Sequence, residues 1–138
     1  MEESIRKAFG YEPVDPLSVS SLSLAYLGDA VYELAVRTAL IGAKNGKNGA
    51  LHHRALPYVS AVGQAKIAAG IQPLLTEEEA AVFRRGRNAK PDHEAKNASS
   101  REYHQATGLE ALMGYLYLKG QTDRAVELIR RGMPYAEN

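Results

Sequence analysis

The chain has 138 residues, a formal net charge of +1 at pH 7, 45% hydrophobic residues and no cysteine. That is enough for one domain with a substantial core, and it excludes disulfides and thiolate metal sites. Near-neutrality means that any nucleic-acid affinity must come from local clusters and not from whole-molecule charge.

Residues 1–16 read as an N-terminal arm: a charged piece, Glu2 to Phe9, broken by Gly10, Pro13 and Pro16, ahead of a domain over 17–138. Ser20 or Ser21 is placed to cap a long helix that runs to about Ile41 and stops at Gly42. Leu24, Leu27, Val31 and Leu34 recur at steps of three and four, the repeat of a helix burying one face. Asp29 falls inside this apolar pattern, where an ionised carboxylate is costly unless something pairs with it. Ala43 to Gly49 is a polar turn. From Ala50 to Gly70 the pattern is helical again, with Pro57 expected to kink it or split it in two.

Thr76 and Glu79 form a capping box that starts a helix with an acidic first turn. It runs into Arg84-Arg85-Gly86-Arg87-Asn88-Ala89-Lys90, and Pro91 ends it. Residues 91–99 are polar and irregular. Ser99 and Glu102 make a second capping box, opening a helix that carries Glu110 and extends to Gly120. Thr122 is expected to cap a last amphipathic helix with Val126, Leu128 and Ile129 inward, closed by Gly132. There is no strand-like alternation, no repeat and no run of membrane-spanning length, and no basic-then-apolar leader. The expectation is a single all-α domain, cytoplasmic, with no membrane partner.

The stretch Ala106 to Leu118 repeats the design of the Asp29 helix, with Glu110 as the counterpart acid. If the two helices pack face to face, two carboxylates meet in a low-dielectric groove, and a divalent cation is the common way to stabilise that. An all-oxygen donor set suits Mg²⁺ or Mn²⁺ better than zinc. Either acid alone has an ordinary structural reading: Asp29 paired with Arg37, or Glu110 simply solvated. His52 and His53 are adjacent, so on a helix they point about 100 degrees apart and read as surface or RNA-facing. His93 and His104 stand alone. Glu33 and Arg37 form a helix-surface pair. Tyr26, Tyr32, Tyr115 and Tyr117 read as core and interface filler.

The basic run Arg84, Arg85, Arg87, Lys90 and Lys96, with Asn88 as a donor and Gly86 for close backbone approach, is the candidate for phosphate contact. Its alternative is a solvated helix end whose cations complement the dipole.

Tyr26-Leu27-Gly28-Asp29-Ala30-Val31-Tyr32-Glu33 resembles the signature helix of the ribonuclease III catalytic domain. Glu110-Ala111-Leu112-Met113-Gly114 resembles that family's second catalytic segment. With the Arg84 to Lys90 run, these are most similar to the compact Mini-ribonuclease III branch, which has a catalytic domain and no double-stranded-RNA-binding domain. The three motifs stand in order, and the resemblance spans roughly residues 17–132. The resemblance implies a homodimeric helical bundle of the ribonuclease III catalytic type and a Mg²⁺-dependent endoribonuclease, with Mn²⁺ able to substitute. It would hydrolyse double-stranded RNA to 5′-phosphate and 3′-hydroxyl ends, leaving short 3′ overhangs. Asp29 and Glu110 would be the catalytic, metal-holding acids; Arg84, Arg85, Arg87, Asn88, Lys90 and Lys96 would touch RNA. In that branch the substrate is the precursor of 23S ribosomal RNA. The implied partners are that RNA, a second copy of the chain and a ribosomal protein presenting the substrate.

Two positions depart from the wider family, which carries acids where this chain has Ala25 and Thr107. Glu33, one helical turn from Asp29, is a candidate replacement. The departures keep two alternatives in view. One is a non-catalytic double-stranded-RNA-binding ribosome-assembly factor of the same fold; the other is an all-α dimeric interaction module with structural acids.

Overall fold

The computed structural model of the chain describes residues 1–90 and 100–137. Its axis is a helix that has almost no solvent-facing side. Helix α6 (Ser100–Leu118) is buried from Ala106 to Tyr117 except at Glu110, which is half-buried. A helix apolar all round belongs in the middle of a bundle, and α6 is packed by neighbours on several sides. The earlier elements are α1 (Glu2–Phe9), α2 (Ser21–Ala43), α3 (Asn48–Val59), α4 (Ala61–Ile71) and α5 (Glu77–Asn88); α7 (Thr122–Gly132) follows α6. Helices α2, α4, α5 and α7 all pack on α6, α2 most extensively. Among the described residues every regular element is helical, and no helix is long and apolar enough to cross a membrane.

The capping signals locate several helix starts. Ser20 caps α2, its side chain accepting from the Ser23 amide at 3.1 Å. The Thr76–Glu79 box is formed in both directions. Glu79 then turns inward and takes two hydrogen bonds from Arg124 of α7, each 2.9 Å, while Arg124 also donates to the Leu74 carbonyl. This ion pair, with Glu79 buried and Arg124 half-buried, ties the start of α5 to α7.

Elsewhere the chain departs from expectation. Helix α2 passes through Gly42 and ends at Ala43, because Gly42 stays helical and does not adopt the left-handed conformation of a glycine cap. Its buried stripe is Leu24, Ala25, Gly28, Tyr32, Val36 and Leu40. Leu27 and Val31 are only half-buried and Leu34 is exposed, so the expected stripe is rotated toward solvent. The small residues Ala25 and Gly28 go inward because α6 approaches too closely for larger ones.

Pro57 does not itself divide α3 from α4. It sits in the last turn of α3, and the break falls at Ser60, which caps α4 through the Gly63 amide. Thr122 is the first residue of α7 and not its cap; Gln121 holds that position without a side-chain hydrogen bond. Val126 is exposed, and the inward face of α7 is Ala125, Leu128, Ile129 and Gly132. The Ser99–Glu102 box, His93 and Lys96 involve residues 91–99, outside the described residues.

Candidate active site

Helices α2 and α6 cross where each has a glycine. A Cβ on Gly28 would overlap the Glu110 carbonyl oxygen, and one on Gly114 would overlap the Leu24 carbonyl oxygen. With neither present, the two backbones touch. Asp29 follows Gly28 and Glu110 precedes Gly114 by one turn, so the crossing delivers the two carboxyls to one place. A side-chain hydrogen bond joins the Glu110 and Asp29 carboxyls. Its carboxyl is pushed up to about 8, first by burial, then by that hydrogen bond and by the negative charge of Asp29.

A third helix completes the site. Gln64, on the first turn of α4, is only 4% exposed and lies beside Glu110, where its amide partly opposes the rise. Sequence reading missed it, although the signal was the one that marked Asp29. Gln64, Ile67, Ala68 and Ile71 are the inward positions of α4, and one of them is polar. The α3–α4 corner behind Gln64 is fastened to α2 by Tyr32, whose buried hydroxyl donates to the Tyr58 carbonyl at 2.7 Å. Burial, with the nearby Glu110 carboxyl second, raises the Tyr32 phenol well above its ordinary value.

Glu33 lies close enough to raise Glu110 electrostatically, but its own carboxylate is taken by Arg37 at 3.3 Å. Arg37 therefore does not serve Asp29. Among the described residues no group of three acids or histidines is arranged to hold a metal. Ala25 and Thr107, where the wider family resemblance called for acids, are both core residues. Thr107 directs its hydroxyl to the Tyr103 carbonyl.

The basic residues separate. Arg84, Arg85, Arg87 and Asn88 lie on the last turns of α5. Gly86 is buried against α6, where a Cβ would come within 2.7 Å of the Ala111 Cβ, so it serves helix packing and not ligand approach. Arg84, Arg85 and Asn88 share an open depression with Ser20, Ser21 and Leu22 at the start of α2. Arg87 is half-buried beside Asn88, and Lys90 is exposed beyond the helix end. His52 and His53 are exposed on α3, and His52 shares a depression with Glu33 and Arg37. Of the four tyrosines, Tyr32, Tyr115 and Tyr117 are core, whereas Tyr26 is 86% exposed.

A family model described as the Ribonuclease III domain matches residues 22–121, a span that contains both acids. The chain belongs to the ribonuclease III family. It is 46% identical over 123 residues to the Mini-ribonuclease 3 of Symbiobacterium thermophilum, covering 89% of this chain and 95% of that protein. Against the Mini-ribonuclease 3 of Brevibacillus brevis the identity is 45% over 123 residues, covering 89% and 92%. A crystal structure of a Fusobacterium nucleatum protein matches with a TM-score of 0.71 at 32% identity, covering 80% of this chain and 88% of that one. The all-α architecture is therefore the ribonuclease III fold, and the chain is an endoribonuclease of double-stranded RNA on the Mini-ribonuclease branch.

Proposed function

We propose that the chain hydrolyses double-stranded RNA at the Asp29–Glu110 pair with a divalent cation, Mg²⁺ or Mn²⁺, held by those two carboxyls. The observation that carries this is the meeting of two acids at a glycine crossing, one of them half-buried with its carboxyl pushed up by burial and then by the other acid. The donor chemistry fits: the two carboxyls offer oxygen, and the chain has no cysteine to offer a thiolate. A cation there supplies a Lewis acid that lowers the pKa of a nucleophilic water and offsets charge building on the phosphodiester. The chain's own part is to keep the two carboxyls converged and to exclude bulk water from one side of Glu110.

RNA affinity is assigned to the α5 face, where Arg84, Arg85 and Asn88 stand beside the start of α2; Arg87 and Lys90 extend that face, and Lys96 belongs to the same run in the sequence. Such contacts read backbone shape and not base sequence. A homodimer is supported by the stripe of α2 opposite its buried face, where Tyr26, Leu34 and Ile41 are exposed at helical spacing. Resemblance to the Mini-ribonuclease branch supports the 23S ribosomal RNA precursor as substrate, cytoplasmic location, and a ribosomal protein as its presenter.

The test is cleavage of an end-labelled RNA duplex with and without Mg²⁺ by wild type, Asp29→Asn and Glu110→Gln. Cation-dependent cutting by wild type alone supports the assignment. Cutting by either variant at the wild-type rate removes that residue from the site, and duplex binding by wild type with no cutting would favour the non-catalytic binder.

A further inference from the structure

Three polar side chains are buried among the described residues: Gln64, Glu79 and Thr107. A buried polar group is costly unless it is hydrogen-bonded, so each needs an account. Glu79 is satisfied by Arg124 and by the Thr76 amide, and Thr107 by the Tyr103 carbonyl; both of those arrangements are purely structural. Gln64 is different. It lies on the helix face packed against α6, beside Glu110, an acid of the proposed active site.

The surroundings of Gln64 fix where it points. Ser60 caps α4, and Gly63 brings the first turn of α4 so close to the end of α3 that a Cβ would overlap the Pro57 carbonyl oxygen. The Tyr32 hydroxyl anchors the same corner through Tyr58, and Tyr58 in turn donates its hydroxyl to Glu137 at 2.9 Å. Gln64 thus sits on a corner held from two sides, on a helix packed against α6 whose other inward residues are Gly63, Ile67, Ala68 and Ile71. An apolar residue would suit that helix better by packing alone.

We propose that Gln64 is the positioning residue of Glu110: its amide N–H donates to the Glu110 carboxyl and sets the orientation in which that carboxyl faces Asp29. This rests on the assignment of Asp29 and Glu110 as the cation-holding pair. A carboxyl with one oxygen fixed by a donor presents the other in a constant direction, and loss of such a partner typically lowers metal affinity or activity about 10–100-fold.

The experiment uses the whole chain with Gln64→Met, which keeps the length and removes the donor, and Gln64→Glu, which keeps the shape and cannot donate when ionised. Melting temperature, Mn²⁺ affinity by calorimetry without RNA, and kcat and KM on an RNA duplex are measured for each. Expected for Gln64→Met is a roughly 10-fold or greater loss in kcat and in Mn²⁺ affinity, with KM for the duplex unchanged. Gln64→Glu is expected not to restore kcat. Unchanged Mn²⁺ affinity and kcat in Gln64→Met, a loss confined to KM, or wild-type kcat in Gln64→Glu would each overturn the role. If Gln64→Met does not fold, Gln64→Glu decides. Asp29→Asn and Glu110→Gln run alongside. If they cut normally, the active-site assignment fails and the positioning role with it. If they are dead while Gln64→Met is unaffected, only the positioning role falls.

Discussion

Gly28 and Glu110 touch through their backbones: the space a side chain would need at Gly28 is filled by the Glu110 carbonyl oxygen. The neighbouring Asp29 can meet the Glu110 carboxyl only because the residue before it has no Cβ. Gly28→Ala must therefore push α2 and α6 apart, and overpacking of that kind costs about 1–3 kcal/mol or more. Expected are a lowered melting temperature and a loss of cleavage out of proportion to it, since the carboxyls separate. Gly42→Ala, on the same helix where nothing lies within 4 Å, is the control: it leaves cleavage unchanged and does not lower the melting temperature. Equal behaviour of the two variants would sink the argument.

The protonation of Glu110 makes stability and cation binding depend on pH in a stated direction. Its carboxyl is raised in the folded chain from 4.5 to about 8, chiefly by burial and then by Asp29. The folded state thus holds a proton that the unfolded chain has already lost. That contribution to stability is fully present below about pH 4.5 and is lost as pH rises through about 8. In the metal-free protein the melting temperature is expected to fall across this window in wild type and to fall less in Glu110→Gln. Cation binding must displace the proton, so Mn²⁺ affinity is expected to rise with pH up to about 8 and then level off, with proton release measurable by calorimetry in buffers of different ionisation enthalpy. Parallel stability curves for the two proteins would refute the account.

Tyr32→Phe removes one hydroxyl and leaves the Tyr58 carbonyl without its partner on α2. The group is buried, so the cost is expected at about 1–2 kcal/mol, read from denaturant unfolding. The corner it fastens also carries Gln64, and a fall in kcat at constant KM is expected beyond the stability loss. Tyr117→Phe is a useful comparison, because Tyr117 is equally a core tyrosine but lies on α6 one turn past Gly114 toward its end. It is expected to leave kcat alone.

The all-α architecture was legible because its signals are local. Ser20 and the Thr76–Glu79 box mark helix starts through bonds made within four residues. Asp29 and Glu110 were legible for a similar reason, each an acid set into an apolar run. The inward face of α2 was not, since that helix carries large apolar residues all round. Which side goes in depends on α6, whose glycine meets Gly28, and the smaller side chains win the core while Tyr26 and Leu34 stay outside. Gly86 was misread for the same reason: a glycine in a basic run suggests a ligand until the partner helix is seen against it. Gln64 shared the buried spacing of α4 with Ile67, Ala68 and Ile71, but a glutamine carries no charge to draw attention, and its partner lies on another helix.

The α5 arginines separate local recognition from bulk charge. Arg84 and Arg85 are exposed in a depression shared with the start of α2. Arg130 and Arg131 are also exposed and adjacent, at the end of α7. Replacing either pair by glutamine removes the same two charges, so any effect of net charge alone is identical. If the α5 pair contacts phosphates, Arg84→Gln with Arg85→Gln weakens duplex binding across unrelated sequences and makes the slope of log affinity against log salt shallower by about one unit per lost contact. The α7 pair leaves the slope unchanged. Binding is measured without divalent cation, which keeps cleavage out of the titration. Equal slopes for the two double variants would assign the affinity to overall charge and remove α5 as the RNA-facing helix.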